Sequence, residues 1–115
     1  MKRSEFGAAI ARIRDVSLDT LIFKNGRYSE GSDNALHNFT AGAEIAGCTP
    51  AQAAWGYMTK HLVALRDKVQ RNDFSDLADL EEKCQDIINY TAIIFAIGTD
   101  ERAGAVEDEG AGGKE

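Results

Sequence analysis

Apolar residues recur three and four positions apart along this chain, and no stretch alternates apolar and polar positions as a half-buried strand does. Phe6, Ile10, Ile13, Val16 or Ser17, and Leu21 predict a first helix over about 4–23, with Ser4 as its N-cap. A polar connector with Gly26 and Gly31 as breakers follows over 24–34. It is long for a helix–helix turn, and loops of that length often carry function. Leu36, Phe39, Ala43 and Ala46 predict a short helix over about 34–46, capped by Asp33 or Asn34 and stopped at Gly47. The next start is the sharpest local signal: Thr49, Pro50 and Gln52 combine a capping box with proline at the first helical position. From there Trp55, Met58, Leu62, Leu65 and Val69 line one face as far as about Gln70. Turn chemistry over 71–79 leads to a last helix that begins near Ser75 or Asp79, runs to Ile97 and ends at Gly98.

That last helix interrupts its apolar pattern in an ordered way. At about 100° per residue, Glu82, Asp86 and Asn89 fall on one face that continues into Ile93 and Ala96. Cys84, Ile87, Ile88, Thr91 and Phe95 form a second, broader apolar side. A helix apolar around most of its circumference is a buried one, and carboxylates on it require a cation, a donor or a partner chain. The whole reads as an all-α, four-helix bundle occupying 1–98, with a disordered acidic and glycine-rich tail over 99–115. The apolar excess of the last helix predicts a homodimer.

Composition narrows the partners. Thirteen basic and nineteen acidic residues give a net charge of −6, which argues against a binder of nucleic-acid backbones. The longest apolar run, 91–98, is far too short to cross a membrane, and no signal-peptide pattern opens the chain. Cys48 and Cys84 make no CxxC pair, and with His37 and His61 they offer no zinc spacing; both read as reduced packing residues of a cytoplasmic protein. Glycines at 26, 31, 42 and 47 match neither GxxxxGK[ST] nor GxGxxG.

Oxygen ligands at helical spacing converge, so Glu82 and Asp86 are the candidate ligands of a Mg²⁺ ion completed by substrate phosphates and water. His61, at the margin of the core face of its helix, is a candidate acid or base, or a hydrogen-bonded core-edge residue. Lys60, Arg66 and Lys68 are candidate phosphate contacts, or a solvated face.

Four short motifs add a resemblance: Lys24-Asn25-Gly26-Arg27-Tyr28, Asn38-Phe39, Lys60-His61-Leu62 with Arg66, and Asp86-Ile87-Ile88-Asn89-Tyr90. In this order, over about 6–98, they resemble the nucleotide-modification-associated proteins of phages and prophages. Those are similar in helical layout to the MazG-like all-α nucleoside triphosphate pyrophosphohydrolases. The resemblance implies a homodimeric helical domain that binds or acts on a nucleotide. Its site would lie between the Thr49 helix and the last helix, with the loop 24–28 folded over it. Glu82 and Asp86 would be catalytic and hold Mg²⁺; Lys24, Arg27, Tyr28, Asn38, Lys60, His61 and Asn89 would bind substrate. The MazG-like enzymes carry Glu-x-x-Glu on the preceding helix, whereas 58–62 here has no acidic pair, and Glu82 to Asp86 is one residue longer than Glu-x-x-Asp. That departure leaves a second expectation open, a non-catalytic phage protein that sequesters a nucleotide signal or docks on a host protein.

Overall fold

A computed structural model describes the backbone at residues 1–28 and 33–112 and the side chains of 1–25 and 33–105. The described residues are all helical or turn: α1 (Arg3–Tyr28), α2 (His37–Ala46), α3 (Pro50–Gln70) and α4 (Leu77–Gly112). All-α architecture with four helices is therefore as expected, but several boundaries differ. Helix α1 starts at Arg3, not after a Ser4 cap: the Lys2 backbone N–H donates to the Glu5 carboxylate at 3.2 Å. It also runs through Gly26 to Tyr28, so the expected connector at 24–34 loses its first five residues to the helix. The cap of α2 is Leu36, while Asn34 Oδ1 accepts from the Leu36 N–H at 3.0 Å in a turn just before it.

Gly47 ends α2 in the left-handed region (φ 71°), its N–H bonded to the Ala43 carbonyl. Thr49 and Gln52 form the complete capping box of α3. At the start of α4 the capping side chain is Asp76, whose Oδ1 accepts from the Asp79 N–H at 3.2 Å. Helix α4 does not stop at Gly98 but continues to Gly112, with every described side chain from 98 to 105 exposed.

Helices α3 and α4 form the principal pairing, an antiparallel hairpin; α2 packs on α3, and α1 packs on α4. Arg12 of α1 forks onto Glu81 of α4 with two bonds of 3.0 Å. Further along, Leu21, Lys24 and Asn25 share a cavity with Asn89 and Ile93, so α1 and α4 run in the same direction. The buried centre is small: Phe39, Ala54 and Ile97, flanked by Leu36, Ala51, Tyr90, Ile93 and Ile94. Helices α2 and α3 approach closely at Gly42, where a Cβ would fall on the Tyr57 hydroxyl.

The buried face of α3 is rotated from the expected one. Met58 is buried and Leu62 and Leu65 half-buried as expected, but Ala54 and Lys68 are buried beside them, whereas Trp55 (58 % exposed) and Val69 (55 %) at the other edge of the stripe face outward. The reason lies in α4, which presents acidic residues to α3 and draws its basic ones inward. The molecule measures 61 × 33 × 28 Å with a radius of gyration of 17.7 Å, against about 13 Å for a compact chain of this length. Such a shape leaves large apolar side chains uncovered, among them Leu18, Ile22 and Phe23 of α1 and Phe95 of α4.

Candidate functional site

The α3–α4 seam carries two pairs of a basic side chain with an aspartate, seven residues apart on each helix. Lys68 Nζ lies 2.7 Å from Asp79 Oδ2, and His61 Nδ1 lies 3.2 Å from Asp86 Oδ2. Two turns of one helix therefore face two turns of the other, which sets the register of the hairpin. Lys68 is 4 % exposed and also donates to the Asp73 carbonyl at 3.3 Å. Asp79 receives a second ammonium, Lys83 Nζ at 2.6 Å, and the bonds from Lys68 and Lys83 hold its carboxyl down to about 2.

One pair is structural, and the other opens onto a cavity of about 360 Å³. The C-terminal end of α1, the start of α2, the middle of α3 and the Glu82–Asp86–Asn89–Ile93 stripe of α4 enclose it. The stripe meets there because steps of four, three and four residues keep one helix face pointed at one place. The His61 ring stacks on Tyr90 (centroids 5.4 Å apart, planes at 29°) while Asp86 holds its Nδ1 side. This fixes the ring plane and leaves Nε2 as the nitrogen available to a ligand. Asn25 Nδ2 donates to the Ala35 carbonyl at 2.7 Å and ties the end of α1 to the approach to α2.

Lining residues sort by depth. Lys24, Asn38, Lys60 and Glu82 are exposed, at the mouth. His61, Asp86 and Tyr90 are half-buried, and Phe39 and Asn89 are buried, each 8 % exposed. Apart from Ala35, the exposed lining is thus charged or polar, Asp86 carries charge further in beside His61, and an aromatic ring and one amide are buried.

Seven of the residues predicted from sequence line this one cavity: Lys24, Asn38, Lys60, His61, Glu82, Asp86 and Asn89. The Arg27 and Tyr28 side chains lie outside the described residues, and the loop expected to cover the site begins as the last turn of α1. Arg66 is turned to Asp67, and Lys68 is committed to Asp79. Leu21, Asn25, Ala35, Phe39, Tyr90 and Ile93 also line it without having been singled out as ligand contacts. Phe39, Tyr90 and Asn25 stood inside the quoted motifs; Leu21 and Ile93 look like ordinary core positions in the sequence.

The donor set limits how a metal can be held. Glu82 and Asp86 lie one helical turn apart on the cavity wall, but one Asp86 oxygen already faces His61. Among the described residues no group of three or more His, Cys, Asp or Glu side chains is placed to hold a metal ion. Two carboxylates fit Mg²⁺ only when substrate phosphates and water complete its octahedron. A metal caged by protein ligands alone does not fit.

No family model matches this sequence, and no curated protein or solved structure is detectably similar to it.

Proposed function

We propose that this chain is a nucleotide-handling protein with a MazG-like helical layout, whose ligand occupies the cavity between α1, α3 and α4. The observation that carries this reading is the gradation of the lining: two lysines and a carboxylate exposed, an oriented histidine half-buried beside Asp86, and an aromatic ring and an amide buried. Lys24 and Lys60 neutralise phosphate charge, and neither forms an ion pair among the described residues. Glu82 and the outer oxygen of Asp86 would hold Mg²⁺ against the phosphates, where the ion would polarise the phosphoryl group and acidify bound water. His61, kept in orientation by Asp86 and Tyr90, accepts or donates a proton at Nε2. The activity so supported is hydrolysis of a nucleoside triphosphate to the monophosphate and pyrophosphate. Free cysteines at 48 and 84 suit a reducing, cytoplasmic setting.

One observation favours the second reading, a protein that binds a nucleotide signal or a host protein without turnover. Asp86 is shared with His61, and among the described residues the cavity presents one other carboxylate, Glu82, to a cation. Incubation with Mg²⁺ and a panel of nucleoside triphosphates and cyclic nucleotides separates the two. Chromatography of the solution and of the protein-bound fraction should show conversion if the protein is an enzyme, and intact retained nucleotide if it is a binder. A sample that neither converts nor retains any nucleotide would contradict the nucleotide reading.

A homodimer is part of the proposal. Phe95 is 79 % exposed on α4, and α1 exposes Leu18, Ile22 and Phe23, large apolar side chains that a second copy of the chain would cover.

A further inference from the structure

We infer that the ligand enters ring-first and that Asn89 reads the edge of its ring, so the cavity selects a nucleobase-bearing molecule over a bare polyphosphate or sugar phosphate. This inference rests on the nucleotide reading above and deepens it.

The Asn89 side chain belongs to a residue more than nine-tenths buried on the cavity wall, and it makes no hydrogen bond among the described residues. A buried amide normally finds partners, because leaving its donor and acceptor bare carries the cost of their desolvation. Ser17 Oγ is the one fully sealed, unpartnered side-chain polar atom among the described residues, so the Asn89 amide is not sealed: it opens on the cavity. The other amides there are placed differently. Asn25 is occupied by the Ala35 carbonyl, and Asn38 is exposed at the mouth.

A carboxamide presents one acceptor and one donor side by side, and its complement is an adjacent donor and acceptor on a planar ring. Nucleobase edges have that pattern, and paired hydrogen bonds to a base edge are what asparagine offers a nucleic acid as well. Phosphates and sugar hydroxyls lack the paired planar edge. Phe39 and Ile93 supply the apolar walls such a ring needs, and both lysines are exposed lining residues in contact with solvent. Phosphate charge is better held at the exposed lining residues, where it stays hydrated, than against buried Phe39 and Asn89, where burial would strip its water.

Calorimetry with the full chain tests this, using the four common nucleoside triphosphates, inorganic tripolyphosphate and ribose 5-phosphate as probes. At least one nucleoside triphosphate should bind about tenfold or more tightly than tripolyphosphate. Asn89→Leu, of similar size without hydrogen-bonding atoms, should erase that margin and leave tripolyphosphate affinity within about twofold. Tripolyphosphate binding as tightly as every nucleotide, or an unchanged margin in Asn89→Leu, overturns the inference while the phosphate-binding reading stands. Absence of binding by every probe overturns both. Should Asn89→Leu not fold, the side-chain amide resonances of Asn89 in the unmodified protein decide. They should move with a nucleoside triphosphate and stay in place with tripolyphosphate; movement with neither overturns the inference.

Discussion

Lys68 is where sequence pattern and structure disagree most sharply, and its substitution tests the account of the seam. Its stem is buried between α3 and α4, and its ammonium meets Asp79 and the Asp73 carbonyl. Lys68→Ala removes three buried methylene groups, worth about 2 kcal/mol by transfer alone. Asp79 is not stranded, because Lys83 stays on its other oxygen and the side chain is about a third exposed, so the lost ion pair adds little. The carbonyl of Asp73 loses a donor, and the total is about 2–3 kcal/mol. Lys68→Met keeps the stem and removes only the charge; it should lie within about 1 kcal/mol of the parent, since apolar replacements of buried ion pairs are often neutral. Urea unfolding followed by circular dichroism at pH 7, at one fixed protein concentration, measures both. If methionine costs as much as alanine, the charge and not the stem holds the seam, and the argument fails. If alanine costs nothing, Lys68 is not in the core.

Three further outcomes are expected. Ser17 Oγ is buried without a partner in the interior of α1, so Ser17→Ala should raise stability by about 1 kcal/mol, seen as a higher thermal midpoint. The depressed carboxyl of Asp79 stabilises the fold fully above the ordinary carboxylate range and loses that contribution as pH falls towards about 2. Lys68→Met, close to the parent at pH 7, removes part of that dependence and leaves no buried ammonium unpaired once Asp79 is protonated, so its acid-unfolding transition should move to lower pH in a fluorescence titration. Phe95→Asp should leave the helical signal intact and convert the species seen by sedimentation from dimer to monomer; an unchanged sedimentation coefficient would remove α4 from the interface.

Much of the site was legible in the sequence because one helix carries most of it. Glu82, Asp86, Asn89 and Ile93 follow the helical repeat, and polar residues on an otherwise apolar helix stand out. Local chemistry similarly specified Gly47 and the Thr49–Gln52 capping box. What failed depended on tertiary partners. The face of α3 was misread because Lys68 and His61 turn inward to Asp79 and Asp86, an interaction invisible until the hairpin forms. Gly26 weakens a helix by only about 1 kcal/mol, and α1 runs through it. Gly98 likewise does not stop α4, since no left-handed turn forms there. Phe95 has strong apolar character but is left 79 % exposed by the described residues, and that exposure could not be read from periodicity.

The central claim is that the α1–α3–α4 cavity holds a nucleotide, and resonance mapping on the isotope-labelled protein tests it most directly. Titrating nucleoside triphosphates with Mg²⁺ should move the resonances of Lys24, Asn38, Lys60, His61 and Asn89 together, along one saturable curve, while Ile45 and Phe74 on distant exposed surfaces stay in place. Cavity resonances that do not move at saturating nucleotide, or shifts confined to other surfaces, would contradict it.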